Sequence, residues 1–199
     1  MLLLTALALF GQTLTIPVDV PYGNDYANPP VEFTIPGFPS GLGTLDEVHV
    51  NITTHANLDG AVENQTPFAC CAYLGRDICG GGLVVPPNRV NLKLYDRDGV
   101  LLGENPIECA DVSAPLDAYD GTDDFSGPSG TVLHQDDEVL LINAAVVDGV
   151  HALPFHRSVV TLKYERLTYM GSGSTCGGNV HHSDRARVGG HFDVIYVYH

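Results

Sequence analysis

Apolar and polar residues alternate with a period of two through most of this chain, and that pattern constrains the fold more than any other feature. In "TLDEVHVNITT", Leu45, Val48, Val50 and Ile52 fall near one face once an irregularity at Asp46 is allowed. Successive side chains of a strand point to opposite faces, so such a segment predicts a strand with one buried face. No segment of twelve or more residues shows the 3.6-residue apolar period of a helix.

Other segments extend the same prediction. "RVNLKLYDRDGVLLGE" predicts a hairpin that turns at Asp98 and Gly99, with Val90, Leu92 and Leu94 facing inward. "DEVLLINAAVV" and "SVVTLKYERLTYM" predict further core strands, and the closing "HFDVIYVYH" predicts a central strand paired on both edges. The intervening segments are rich in the 22 Gly and 13 Pro. We therefore expect an all-β fold, a β-sandwich of about ten strands with Gly/Pro-rich loops, for which the jelly roll is one candidate form.

Length and charge limit the classes of function. The 199 residues suit one domain, taken as residues 16–199. Nine Lys and Arg against 24 Asp and Glu give a net charge of −15, and no basic residue precedes Arg76. Nucleic acids and anionic membranes are bound through clustered Lys and Arg, so neither is an expected partner.

Residues 1–15, "MLLLTALALFGQTLT", form a distinct apolar segment. Its run from Leu2 to Phe10 resembles the core of a secretory signal peptide, although the positive residues that normally precede such a core are missing. Nine apolar residues are too few to span a bilayer as a helix, so no membrane span is expected. The alternative is a retained segment that is buried by strand addition to a neighbouring copy.

Five cysteines predict two disulfides and one remaining thiol. Adjacent Cys70 and Cys71 point to opposite faces of an extended chain and are expected to pair with different partners. The connectivity does not follow from the sequence. The disulfide candidates are Cys70, Cys71, Cys79, Cys109 and Cys176.

Two Asn-x-Thr triplets fit the N-glycosylation pattern, at Asn51 and Asn64. Such triplets are common by chance, so two exposed, unmodified asparagines are the default interpretation.

Three stretches in the same order resemble the choice-of-anchor E domain of secreted bacterial proteins: "IPGFPSGLGTLDEVHVNIT" (35–53), "DGTDDFSGPSG" (120–130) and "HFDVIYVYH" (191–199). The resemblance extends from Phe33 to the end of the chain. It implies a secreted, β-rich extracellular domain and brings no catalytic residues. The family usually carries a C-terminal sorting segment, whereas this sequence stops at His199. The expectation is a protein that is released, held by non-covalent contacts or assembled with its own kind.

"DGTDDFSGPSG" also presents a candidate cation site. Asp120, Asp123 and Asp124 supply the carboxylate oxygens that calcium prefers, and calcium is the cofactor considered. The spacing does not match an EF-hand loop. The favoured interpretation is structural: Gly121, Gly127 and Gly130 provide positive φ angles, the aspartates cap turns, and Phe125 closes the end of the core.

Histidines and one cysteine suggest two further, weaker sites. His181, His182, Asp184 and His191 are close in sequence and carry zinc-ligating groups, but without a recognised ligand spacing. Cys176 with His181 nearby resembles a nucleophile with its base, although a disulfide at Cys176 is the stronger prediction.

The sequence therefore predicts a secreted, non-enzymatic extracellular structural protein. It is expected to self-associate, as a filament or matrix subunit that uses its N-terminal segment for strand exchange. The alternative is an adhesive or carbohydrate-binding module, with calcium assisting and extracellular glycans as partners. The chain has no Trp, so stacking on sugars would depend on tyrosines such as Tyr22, Tyr26, Tyr73 and Tyr119.

Overall fold

A computed structural model shows an all-β protein, as the alternation predicts. The described residues are 11–23, 29–76, 79–80, 86–147 and 152–199. They contain eleven strands and a short 3₁₀ helix at Leu153–His156. The strands are β1 Gln12–Gly23, β2 Val31–Pro36, β3 Leu45–Asn64, β4 Cys70–Leu74, β5 Arg89–Asp96, β6 Leu101–Glu108, β7 Val112–Leu116, β8 Gly130–Val147, β9 Val159–Tyr169, β10 Ser172–Ser174 and β11 Val180–Tyr198.

Three antiparallel sheets are formed. Sheet A has the order β1-β11-β3-β8, sheet B the order β2-β9-β5-β6, and sheet C the order β10-β4-β7. Side chains of sheets A and B share one buried cluster, so these two sheets pack face to face. The chain crosses repeatedly between these two sheets, with β1, β3, β8 and β11 in sheet A and β2, β5, β6 and β9 in sheet B. This connectivity is that of a double-sheet jelly roll, one form of the predicted β-sandwich.

The closing strand β11 is central, as predicted. It pairs with β3 over its whole length and with β1 from Val188 to Tyr198, so the predicted segment is paired on both edges. Its inward residues Phe192, Val194 and Tyr196 are fully buried. The hairpin prediction is also confirmed, because β5 pairs antiparallel with β6. Val90, Leu92 and Leu94 are buried, as predicted.

Between sheets A and B, one part of the core is built from aromatic rings, and we call it the aromatic half. Phe33 and Phe192 stack with ring centroids 6.3 Å apart. The rings of Phe38 and Phe155 both contact the Tyr196 ring, with centroid distances of 5.8 and 6.1 Å. The Tyr196 hydroxyl donates to the carbonyl of Pro36 at 2.8 Å, which satisfies the polar atom of this otherwise apolar group.

The other part of the core lies beneath sheet C and is called the disulfide half. Its fully buried side chains are mostly small or aliphatic, among them Ala56, Leu58, Ala72, Leu74 and Val188. It contains no aromatic ring in its buried cluster as far as the structure describes the chain. The disulfide Cys70–Cys176 joins β4 to the loop before β11 at its margin.

The N-terminal segment is described only from Gly11 onward. Gln12 to Thr15 pair with Ile195 to Tyr198 of the same chain, as the first part of the edge strand β1. The prediction of a cleaved or exchanged segment falls mainly on residues 1–10, which lie outside the described residues. Of the helices in the described ranges, none has the length and hydropathy to cross a membrane.

Candidate functional site

The loop between β7 and β8 carries the three aspartates of the cation-site hypothesis. Asp120 Oδ1 accepts hydrogen bonds from the Thr122 backbone N–H and hydroxyl, at 2.9 and 2.7 Å. Asp124 Oδ1 accepts the equivalent pair from Ser126. The hydrogen bonds from Thr122 lower the pKa of Asp120 and keep it ionised. Two of the three carboxylates therefore stabilise their own turns, as residues of this type commonly do.

The third aspartate attaches the loop to sheet A. Asp123 forms an ion pair with His181 on β11, with Nδ1 3.0 Å from Oδ1. Phe125 packs on the same imidazole, with ring centroids 4.7 Å apart. Phe125 is partly buried at this surface contact, so it covers His181 rather than closing the end of the core.

The glycines of this loop have two different roles. Gly121 and Gly127 have φ angles of 100° and 68°, which confirms their predicted positive values. Gly130 is absent from the positive-φ residues, and that part of the prediction is wrong. A Cβ at Gly130 would overlap the Glu63 carboxylate and the Ser126 backbone nitrogen. Gly130 is therefore required by close approach.

Beneath the loop lies a buried polar network that the sequence did not reveal. The Ser129 hydroxyl donates to Glu63 Oε1 at 2.6 Å, and both residues are fully buried. Asn64 donates its side-chain N–H groups to the carbonyls of Phe68 and Asp117 at 2.7 and 2.6 Å. A weak sequence signal for this network is the polar pair Glu63-Asn64 at the end of β3, directly after the residues of that strand that alternate between buried and exposed faces.

The structure brings no metal centre together at these positions. Among the residues it describes, no three His, Cys, Asp or Glu side chains are grouped so that they could hold a metal ion. His181 and His191 lie at different positions along β11 and bind different carboxylates. Asp184 accepts a hydrogen bond from Ser172 at 2.6 Å.

Histidine–carboxylate pairs instead cover the outer face of sheet A, opposite the face that packs on sheet B. His191 is held between two aspartates, with Nδ1 3.0 Å from Asp19 and Nε2 2.9 Å from Asp193. Partial burial lowers the pKa of His191, but the hydrogen bonds that its ring donates to Asp19 and Asp193, together with the charges of these two carboxylates, outweigh burial and raise that pKa overall. The other pairs are His49–Glu47, His55–Glu138, His134–Asp59, His181–Asp123 and His199–Asp46.

The five cysteines behave as predicted. Cys70 pairs with Cys176 and Cys71 with Cys79, so the adjacent cysteines have different partners and one thiol remains. The remaining thiol, Cys109, is buried, and burial together with the nearby Asp137 raises its pKa to about 12. A protonated, buried thiol is inert. Because Cys176 is in a disulfide, it has no thiol that His181 could activate as a nucleophile.

The two glycosylation candidates differ in access. Asn64 is fully buried, and the amide nitrogen that would carry a glycan donates two hydrogen bonds. A bulky glycan cannot be placed there in the folded protein, so this candidate is wrong. Asn51 is half-buried on the outer face and accepts a hydrogen bond from the Asn143 backbone. Modification of Asn51 stays a prediction.

The tyrosines considered for sugar stacking also differ in exposure. Tyr22 and Tyr119 are 53% and 40% exposed, whereas Tyr73 is buried. Tyr26 lies outside the described residues. An open cleft of about 370 Å³ lies elsewhere, beside the turn of the β5–β6 hairpin, and Arg97 and Arg157 line it together with Phe155.

An exposed apolar segment on β8 is the feature least expected from the sequence. The strand was predicted to belong to the core, but Val139, Leu140, Leu141 and Ile142 are 41%, 54%, 39% and 65% exposed. They lie on the edge strand of sheet A, where β8 pairs with β3 and with no second strand of the described residues. We call residues 139–142 the β8 apolar segment. Four consecutive apolar residues do not alternate with polar ones. The sequence of this segment therefore does not indicate which face of the strand is buried.

The β8 apolar segment ends at a bulge. Ile52 of β3 is opposite Leu141, whereas Val50 is opposite Ala145, so β8 has extra residues at this point. Asn143 within the bulge has a φ of 52°, and its N–H donates to the Asn51 side chain at 2.8 Å. Bulges bend a strand locally, and this one accompanies the outward exposure of Ile142.

No protein-family model matches the chain, and no curated protein matches it. Among solved structures, the T=1 particles derived from infectious bursal virus are 8% identical, with a TM-score of 0.18, over 94% of this chain and 36% of theirs. The VP2 subviral particle of infectious bursal disease virus is 9% identical, with a TM-score of 0.22, over 94% of this chain and 37% of its own. The chain thus spans little more than a third of the chains it matches, and such TM-scores support no conclusion about function.

Proposed function

We propose that this chain is a secreted, non-enzymatic structural protein of the extracellular space that associates with its own copies. The observation that carries the proposal is the β8 apolar segment, whose four side chains are all at least 39% exposed on an edge strand. Edge strands of soluble proteins are normally protected by charges, prolines or a covering element, because their free backbone groups pair readily with other chains. An uncharged apolar edge is typical of a surface that another molecule covers.

Two observations support the extracellular part of the proposal. The disulfides Cys70–Cys176 and Cys71–Cys79 are of a kind that persists in oxidising compartments. The resemblance to the choice-of-anchor E domain points to the same location. Recovery of the protein from culture medium with both disulfides intact would support secretion, and recovery only from the cytosol with reduced thiols would contradict it.

The non-enzymatic part rests on the state of the candidate groups. Cys176 is oxidised to a disulfide, Asp120 and Asp124 are bound to their own turns, and Asp123 is paired with His181. General acid–base and nucleophilic catalysis require such groups to converge with one side free for a substrate.

Sedimentation velocity over a concentration series tests self-association. The wild-type protein is expected to shift from monomer to a larger species as concentration rises. Ile142→Lys should abolish the shift, because it places a charge where apolar area is buried. Val159→Lys is the matched control, because Val159 is, like Ile142, an exposed β-branched residue (53%), but it lies on sheet B. A wild-type protein that stays monomeric at high concentration would contradict the proposal.

Carbohydrate binding is a second candidate, favoured by the two exposed tyrosines Tyr22 and Tyr119. Aromatic side chains of this kind stack on apolar faces of sugars. A glycan array probed with wild type and with Tyr22→Ala and Tyr119→Ala variants would support it if binding is lost in a variant. An array without signal for the wild type would eliminate it.

A further inference from the structure

The β8 strand is divided by charge into two parts. Its middle contains Asp136, Asp137 and Glu138 in succession, whereas residues 139–147, "VLLINAAVV", contain no charged residue. The protein as a whole carries a net charge of −15, so two copies repel each other over most of their surfaces. The uncharged end of β8 is where two identical, negative molecules can approach at low electrostatic cost.

From this charge pattern we propose that two copies pair antiparallel through β8, around a twofold axis at Leu140 or Leu141, and form one continuous eight-stranded sheet. The inference rests on the proposed self-association and specifies its geometry. An antiparallel arrangement places the acidic residues 136–138 of each copy opposite uncharged residues of the other. A parallel, in-register arrangement would place the same acidic residues opposite their own copies, and like charges directly opposite destabilise a sheet.

The symmetry of the sheet fixes the register further. A twofold axis perpendicular to a sheet keeps each side chain on its own face, so the residue on the axis lies opposite its own copy. With the axis at Leu140, Val139 lies opposite Leu141 of the second copy. With the axis at Leu141, Leu140 lies opposite Ile142. In both registers, residues of the β8 apolar segment that are exposed in the single chain lie beside the second copy.

Such a contact closes at two copies. An interface that uses the same patch on both subunits is isologous, and it consumes both patches when the dimer forms. The contact therefore gives a dimer, and growth to a filament or matrix would require a second surface.

Disulfide cross-linking tests the register. Leu140→Cys and Leu141→Cys are made separately, and each protein is oxidised mildly at a concentration where the wild type associates. A residue opposite its own copy in an antiparallel pair lies within the Cα–Cα range of a disulfide, so one of the two variants should be converted mainly to a covalent dimer. Val132→Cys is the matched control, because Val132 is 59% exposed on the same strand but distant from the proposed axis. Cys109 is buried and does not compete.

The outcomes separate the two proposals. A wild-type protein that never associates overturns both the self-association and the pairing. Association without a cross-link at position 140 or 141, or with an equal yield at position 132, overturns the antiparallel register and leaves self-association standing. A sedimentation series that continues beyond two copies after cross-linking overturns the closed dimer. A dimer at saturation with a cross-link at position 140 or 141 supports it.

Ionic strength gives an independent readout. Because the two copies repel through their net charge, the dimer should tighten several-fold when salt is raised from about 0.01 M to 0.15 M, over which the Debye length falls from about 30 to 8 Å. Weakening with salt would instead indicate opposite charges across the contact and would overturn the proposal.

Discussion

The aromatic half and the disulfide half of the core are stabilised by different means. In the aromatic half, large rings such as Phe192, Tyr196 and Phe155 fill the space between sheets A and B, and no disulfide is found there among the described residues. The disulfide half has aliphatic side chains, buried polar residues such as Glu63, and the disulfide Cys70–Cys176. The aromatic half therefore depends on the burial of large rings, whereas the disulfide half adds a covalent link and a buried hydrogen bond from Ser129 to Glu63 to its aliphatic packing.

Removal of the long-range disulfide should give the largest effect. Cys70 and Cys176 are 106 residues apart, whereas Cys71 and Cys79 are 8 apart. On the chain-entropy relation, the first disulfide stabilises by about 5 kcal/mol and the second by about 2.5 kcal/mol. Urea unfolding of the Cys70→Ala/Cys176→Ala and Cys71→Ala/Cys79→Ala proteins measures both values. An equal loss in the two would show that loop closure does not account for the stability of this half.

Phe192→Ala should be nearly as destabilising, by roughly 3–5 kcal/mol, because it leaves a cavity among stacked rings. Phe192 is fully buried and contacts both Phe33 and Tyr164. Tyr169→Ala is the control: Tyr169 is 54% exposed, and the change should cost less than about 0.5 kcal/mol. Chemical denaturation compares the two, and a loss of under 1 kcal/mol for Phe192→Ala would mean that burial of aromatic rings does not account for the stability of this half.

The two halves also differ in how far the sequence predicts them. Alternation predicted the buried faces of β3 and β5, including Ile52 and Leu92, because burial on one face of a strand is a local pattern. The pairing of Cys70 with Cys176 and the bond from Ser129 to Glu63 join residues far apart in sequence, so no local pattern carries them. Exposure of Val139–Ile142 was missed for a third reason: an uninterrupted apolar run does not show whether its strand is central or at an edge.

Ser129→Ala tests the polar network of the disulfide half. It removes the hydroxyl that donates to Glu63 Oε1 and leaves a fully buried carboxyl group without this partner. The expected loss of stability is about 1–3 kcal/mol, the usual cost of an unsatisfied buried polar group. Ser126→Ala is a suitable control, because Ser126 is exposed in the same loop and bonds only within its own turn. Equal losses in the two variants would contradict a special role for the buried pair.

The aspartates above this network should matter much less. Replacement of Asp120, Asp123 and Asp124 by Asn keeps the oxygen that accepts the turn hydrogen bonds and removes the ion pair to His181. The loss of stability should therefore be smaller than that of Ser129→Ala. Melting temperatures of wild type and variant are compared in calcium and in chelator. Stabilisation by calcium in the wild type but not in the variant would show that the loop binds the ion after all.

The smallest predicted effect is a pH dependence on the outer face of the aromatic half, at His191 beside Phe192. The bonds to Asp19 and Asp193 raise the pKa of His191 in the folded state above its ordinary value of 6.5. The folded state therefore binds the proton more tightly than the unfolded chain does. The resulting stabilisation is complete below pH 6.5 and is lost as pH rises through the folded pKa.

His191→Gln removes this contribution, so the difference in unfolding free energy between wild type and variant should be larger at pH 5 than at pH 8. Its size should stay below about 1 kcal/mol, because partly exposed ion pairs are screened by solvent. His156→Gln is the control, since His156 is exposed and distant in sequence from this pair of aspartates. A difference that grows toward pH 8 would mean that burial of the imidazole, and not its two aspartates, governs its titration.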